Sequence, residues 1–145
     1  MNRWLLAGGV LSAIAALLHL AVIVGGPDWY RFFGAGEQMA RAAARGSWYP
    51  PAVTALIATI LATWAAYAFS GAGLIVRLPL VRTALVLISA VYLARGLILL
   101  PALVLQPGSV GAFMIWSSLI VLGYGIAYAV GTWRAWPALS RRPSA

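Results

Sequence analysis

The stretch that decides the architecture is TALVLISAVYLARGLILLPALVL, residues 83–105. A hydrocarbon layer of about 30 Å needs roughly 20 consecutive apolar residues from a helix, and this run supplies them with a single charge, Arg95. Three other runs do the same: Trp4–Gly25, whose clearly polar side chains are Ser12 and His19, and the uncharged Ala52–Val76 and Val110–Trp133. The pattern predicts an all-α integral membrane protein. Its expected form is a four-transmembrane-helix bundle, one membrane domain over 1–145, with spans at about 4–25, 52–76, 83–105 and 110–133.

Composition agrees. The chain is 63% hydrophobic and 8% charged, against roughly 45–50% and 25% in soluble domains. Too few polar residues remain to coat a water-facing surface. Cysteine is absent, which excludes disulfides, thiolate metal sites, Fe–S clusters and cysteine nucleophiles. One histidine and two acids, Asp28 and Glu37, leave no metal site and no cofactor expected. All ten basic residues are arginine, a usage that suggests a GC-rich bacterial source. The net charge of +8 is spread singly around apolar runs, which fits membrane topology and predicts no nucleic-acid partner.

The first run continues past the 7–15 apolar residues of a signal peptide and has no A-x-A site before Pro27, so it is read as a retained helix. Arg3, Arg77, Arg82, Arg134, Arg141 and Arg142 flank the spans on one side; Arg31, Arg41 and Arg45 flank them on the other. The arginine-rich side should be cytoplasmic, placing both termini inside a bacterial cytoplasmic (inner) membrane with 134–145 as a cytoplasmic tail. Trp4, Trp133 and Trp136 would mark the inner interface, and Trp29, Tyr30, Trp48 and Tyr49 the outer one.

Turns around Pro79 and at Gln106–Ser109 join the later spans. The outer loop 26–51 is longer, and long loops tend to carry function. Within it, 36–45 reads as a short amphipathic helix with Glu37, Arg41 and Arg45 on one face. Ahead of it, Asp28–Phe33 is aromatic enough to lie in the interface or fold over the mouth of the bundle.

Membrane helices meet along small residues. That predicts packed faces at Gly8, Ser12, Ala15, Ala16, His19 and Gly26 in span one, and at Ala52, Ala55, Thr59, Thr63, Ala66, Ser70 and Gly73 in span two. In span four, Ser117, Tyr124, Tyr128 and Gly131 share a stripe.

Arg95 is the sharpest chemical signal, because a charge at mid-bilayer costs about 2.5–3.5 kcal/mol on insertion scales and needs a partner. His19 falls at comparable depth, so an outward-facing pocket of His19, Glu37 and Arg95 is expected, lidded by the aromatic loop. Trp29 and Tyr92 are further ligand-binding candidates, and the outer arginines Arg31, Arg41 and Arg45 are expected to hold a lipid phosphate or to make ordinary headgroup contacts. The plainer alternatives are that Arg95 snorkels, that His19 bonds a carbonyl or hydroxyl, and that Glu37 pairs with Arg41 on its own helix.

The reading these residues favour is a protein that binds a lipophilic or anionic ligand or lipid, or an accessory membrane subunit. Expected partners are membrane lipids, a lipophilic small molecule, and a homo-oligomer or larger membrane complex. A membrane-embedded isomerase or quinone-linked enzyme is the alternative, with His19 and Glu37 as the acid–base pair and Arg95 holding an oxyanion. A small transporter is the third. Four spans resemble small multidrug-resistance exporters in size, but those carry a carboxylate in the first span where this chain has His19.

Overall fold

The computed structural model describes residues 1–140, so Arg141 and Arg142 lie outside the described residues. Among those residues the chain is helical, with no strand: α1 (Arg3–Gly25), α2 (Pro27–Phe32), α3 (Glu37–Ala44), α4 (Tyr49–Ala72), α5 (Val81–Leu97), α6 (Leu99–Leu105), a 3-10 turn (Pro107–Ser109) and α7 (Ala112–Ser140). Helices α1 and α4, the α5–α6 segment Val81–Leu105, and α7 are each long and apolar enough to cross a membrane.

Two boundaries moved for a common reason. Span two begins at Tyr49 rather than Ala52. Its prolines, Pro50 and Pro51, occupy a first turn that needs no amide donors, and Ser47 Oγ accepts from Tyr49 N at 3.3 Å. Span three is broken at Ile98. Pro101 has no N–H to donate to the Leu97 carbonyl and its ring crowds that oxygen, which ends α5 at Leu97, two residues after Arg95. At the other end of the chain α7 runs on past Trp133 to Ser140.

The residues form two compact units: Met1–Leu11 with the chain from Trp64 onward, and Ser12–Thr63. In the first, Asn2 is the organising cap. Its Oδ1 accepts from Trp4 N and Leu5 N at 3.1 and 3.2 Å, satisfying two orphan donors of α1. Its Nδ2 donates to Gly131 O of α7 at 2.7 Å, and its own N–H to Ala72 O of α4 at 3.1 Å. Helices α5 and α7 cross at two glycines. A Cβ on Gly96 would sit 2.8 Å from Leu122 Cα, and one on Gly125 would sit 2.9 Å from Leu93 N. Only hydrogen fits between these backbones.

In the second unit, the loop expected at 26–51 is a folded helical pair. Tyr30, 2% exposed, forms a small core with Val22 and Ala40, flanked by Phe33, Met39 and Ala43. Both short helices end on a glycine in the left-handed region, Gly34 and Gly46, each at φ 71°. The following amides close the turn, Ala35 N on Tyr30 O at 2.9 Å and Ser47 N on Ala42 O at 3.0 Å.

The small-residue stripe of span two differs from expectation. The buried positions are Pro50, Thr54, Ala58, Leu61, Ala65, Ala68, Ser70 and Ala72. Thr59 and Thr63 are exposed instead, each hydroxyl donating back to the carbonyl four residues earlier at 2.9 Å. That local bond satisfies a hydroxyl without any partner helix, so threonine spacing does not mark the packed face.

Candidate functional site

In the first unit, Arg95 stands in the last turn of α5 and its Nη1 donates to Ser118 Oγ of α7 at 3.1 Å. Ser118 is 0% exposed, while the shaft of Arg95 lies on an exposed position. A guanidinium carries five N–H donors, and a neutral hydroxyl is its partner here. The ion pairs among the described residues are Arg31–Asp28, Arg31–Glu37 and Arg41–Glu37, so Arg95 takes part in none of them. Its charge does sit at the C-terminal end of α5, where the helix dipole favours a cation.

One turn before Arg95, Tyr92 is buried at the centre of an aromatic cluster. Its ring meets Trp64 edge-on at 4.9 Å between centroids, Tyr124 at 5.5 Å and Tyr128 at 5.4 Å. Tyr128 Oη donates to Trp64 O at 3.1 Å, and its ring covers Gly8, where a Cβ would come within 2.9 Å. Arg95, bonded to a hydroxyl of α7, thus stands one turn along α5 from the centre of a cluster of edge-on and tilted aromatic rings.

The second unit holds the other predicted residues. Arg31 grips Glu37 with two nitrogens, Nε to Oε2 at 2.9 Å and Nη2 to Oε1 at 3.3 Å. Its third, Nη1, reaches Asp28 Oδ1 at 2.8 Å. Arg41 Nε adds a bond to Glu37 Oε1 at 3.0 Å. The plainer alternative, Glu37 paired with Arg41 on its own helix, is therefore present, and the stronger fork comes from Arg31 across the α2–α3 turn. Bonds from Arg31 and then Arg41 hold the Glu37 carboxyl down to about 2, and the same contacts raise the Arg31 guanidinium. So low an affinity for protons makes Glu37 a weak general base at neutral pH.

His19 is half-buried, and its Nδ1 lies 2.7 Å from Ala15 O in its own helix. A carbonyl only accepts, so Nδ1 is assigned a proton and donates to it. Trp29 lies flat on Gly25, where a Cβ would meet its ring at 2.2 Å, and tilts against Phe33 at 5.8 Å. His19, Trp29, Arg31, Glu37 and Arg41 belong to one unit, and Tyr92 and Arg95 to the other.

Ser118 was missed in favour of Ser117. A signal was present: Ser118, Gly125, Thr132 and Leu139 recur every seven residues and are buried, with Tyr128 and Ala135 between them. That is the a/d spacing of a helix packed along a neighbour. No family model, curated protein or solved structure matches the chain.

Proposed function

We propose that this is a four-span protein of a bacterial cytoplasmic membrane, both termini cytoplasmic, that binds an anionic amphiphile at the α5–α7 seam. Arg95 and Ser118 take the acidic head, and the apolar body lies along the exposed side of α5 and α6. The observation that carries this is the pairing of Arg95, the one charge within the apolar run 83–105, with a neutral hydroxyl. A charge at that depth needs a counter-ion, and both oxygens of Glu37 are engaged by Arg31 and Arg41. The proline break at Ile98 adds to the case, because interrupted spans leave backbone carbonyls beside binding sites.

The amphipathic helix α3 then rests with α2 at the outer interface. Supporting this are the exposed rings of Phe32 (74%) and Trp48 (77%) beside an outward ion-pair network, with Ala40 turned into the core. In the sequence, six arginines fall in the flanks assigned to the cytoplasm and three in the opposite flanks, which supports the orientation.

The test is native mass spectrometry of the full chain titrated with oleate and with phosphatidic acid. The reading requires a stoichiometric adduct that Arg95→Met abolishes and Ser118→Ala weakens. An adduct unchanged in Arg95→Met, or wild-type protein that takes up neither probe, overturns it.

A further inference from the structure

The first unit contains a second basic site that the Arg95 reading does not use. A cavity of about 760 Å³ opens where the start of α1, the end of α4, the following turn and the last turns of α7 come together. Its size falls within the roughly 300–1,000 Å³ of small-molecule sites. Arg3, Arg77 and Arg134 all line it, together with Asn2, Trp4 and Ser70.

The uncharged polar groups are committed. Asn2 caps α1 and ties it to α4 and α7. Ser70 Oγ donates to Val76 O at 3.0 Å and accepts from Leu78 N at 2.8 Å, which shapes the turn that carries Arg77. Arg77 itself donates to Leu139 O, holding that turn against α7. Arg134 stands 5.8 Å from the centroid of the Trp4 ring. The unit's sequence contains no acidic side chain, since Asp28 and Glu37 are the only two in the chain and both fall in the other unit. Three positive charges thus face one cavity whose neutral polar groups are already bonded.

We infer that this cavity binds a phosphate-bearing anion, and specifically the headgroup of an anionic phospholipid. Guanidinium groups match phosphate oxygens two at a time, and basic pockets between spans on the cytoplasmic side are suited to such headgroups. Trp4 supplies an amphipathic ring at headgroup level. Arg82, nearby in sequence, stacks instead on Trp136 at 3.9 Å and is not part of the site. The inference rests on the membrane reading and not on the Arg95 site.

The test is native mass spectrometry of the full chain in neutral detergent, titrated separately with phosphatidylglycerol, phosphatidylcholine and inorganic phosphate. The first phosphatidylglycerol should bind more tightly than phosphatidylcholine. Arg3→Gln and Arg134→Gln should each weaken it about fivefold, and the pair about 25-fold, while Arg45→Gln in the other unit changes it less than about twofold. Should the double variant lose its helical circular-dichroism signal, the two single variants decide the matter. Equal affinity for the two lipids, or an equal loss in Arg45→Gln, overturns the site. Inorganic phosphate that displaces phosphatidylglycerol with comparable affinity overturns the lipid assignment in favour of a soluble anion. Sedimentation with membranes is scored separately, so failure of the membrane reading is told apart from failure of the cavity. The Arg95-dependent adduct is scored in different variants.

Discussion

Replacing Gly96 by alanine tests the α5–α7 crossing directly. The new Cβ would lie 2.8 Å from both Leu122 Cα and Leu122 Cβ and 2.9 Å from Leu122 N, where ordinary contact begins at 3.4 Å. The obstacle is mainly backbone, so rotating a side chain does not clear it, and the helices must part by at least about 0.6 Å. A gap of roughly 0.5–1 Å forfeits a quarter to a half of each dispersion contact along the seam, and overpacking of this kind costs about 1–3 kcal/mol. Against it stands the gain in helix propensity from glycine to alanine, at most about 1 kcal/mol. Gly123 on α7 supplies the control, because a Cβ there meets nothing within 4 Å. Gly123→Ala carries the propensity gain alone, so subtracting the two variants isolates the packing cost. Reversible unfolding in mixed micelles, followed by far-ultraviolet circular dichroism, should place Gly96→Ala about 1–3 kcal/mol below Gly123→Ala. A difference under about 0.5 kcal/mol would mean that α5 and α7 do not cross on this glycine.

Two further outcomes concern the second unit. Glu37 is the only glutamate in the sequence, so selective carboxyl-13C labelling gives one titrating signal. Its folded value of about 2 lies below the ordinary 4.5, so the stabilisation it lends α2–α3 is present above about 4.5 and fades as pH falls toward 2. A midpoint near 4 or higher would break the Arg31 fork. Tyr30→Phe removes a hydroxyl 3.3 Å from Thr54 Oγ1, while that oxygen keeps its 2.8 Å bond to Pro50 O. The cost should therefore be modest, about 0.5–1.5 kcal/mol. Amide exchange should quicken across Glu37–Ala44 and stay unchanged in Val81–Leu97; equal change in both would refute a local role.

The four long helices were legible because a run of apolar residues long enough to cross a membrane leaves a chain little else to form. What escaped notice depends on single atoms. Pro101 lies inside an apolar run and disturbs hydropathy very little, yet it removes the one amide that would have carried α5 into α6. Ser117 and Ser118 differ by about 100° around the helix, and only the seven-residue recurrence with Gly125 and Thr132 tells them apart. Thr59 and Thr63 resembled a polar seam because spacing does not reveal that a hydroxyl can be satisfied by its own helix. Arg31 reads in the sequence as one of three outer cations beside a lipid phosphate; its fork onto Glu37 depends on the turn at Gly34, which brings the end of α2 back onto the start of α3.

The clasp at Asn2 also bears on how the chain is assembled during synthesis. Its amide reaches Gly131, 129 residues further on, so that bond cannot close until the final helix has left the ribosome. The stretch Ser12–Thr63 is continuous and holds its own core of Val22, Tyr30 and Ala40. It can be complete while most of α7 is still untranslated, and translation at about 5–20 residues per second gives it a lead of several seconds. The leading turns of α1 must therefore wait, already made, for the last helix to arrive.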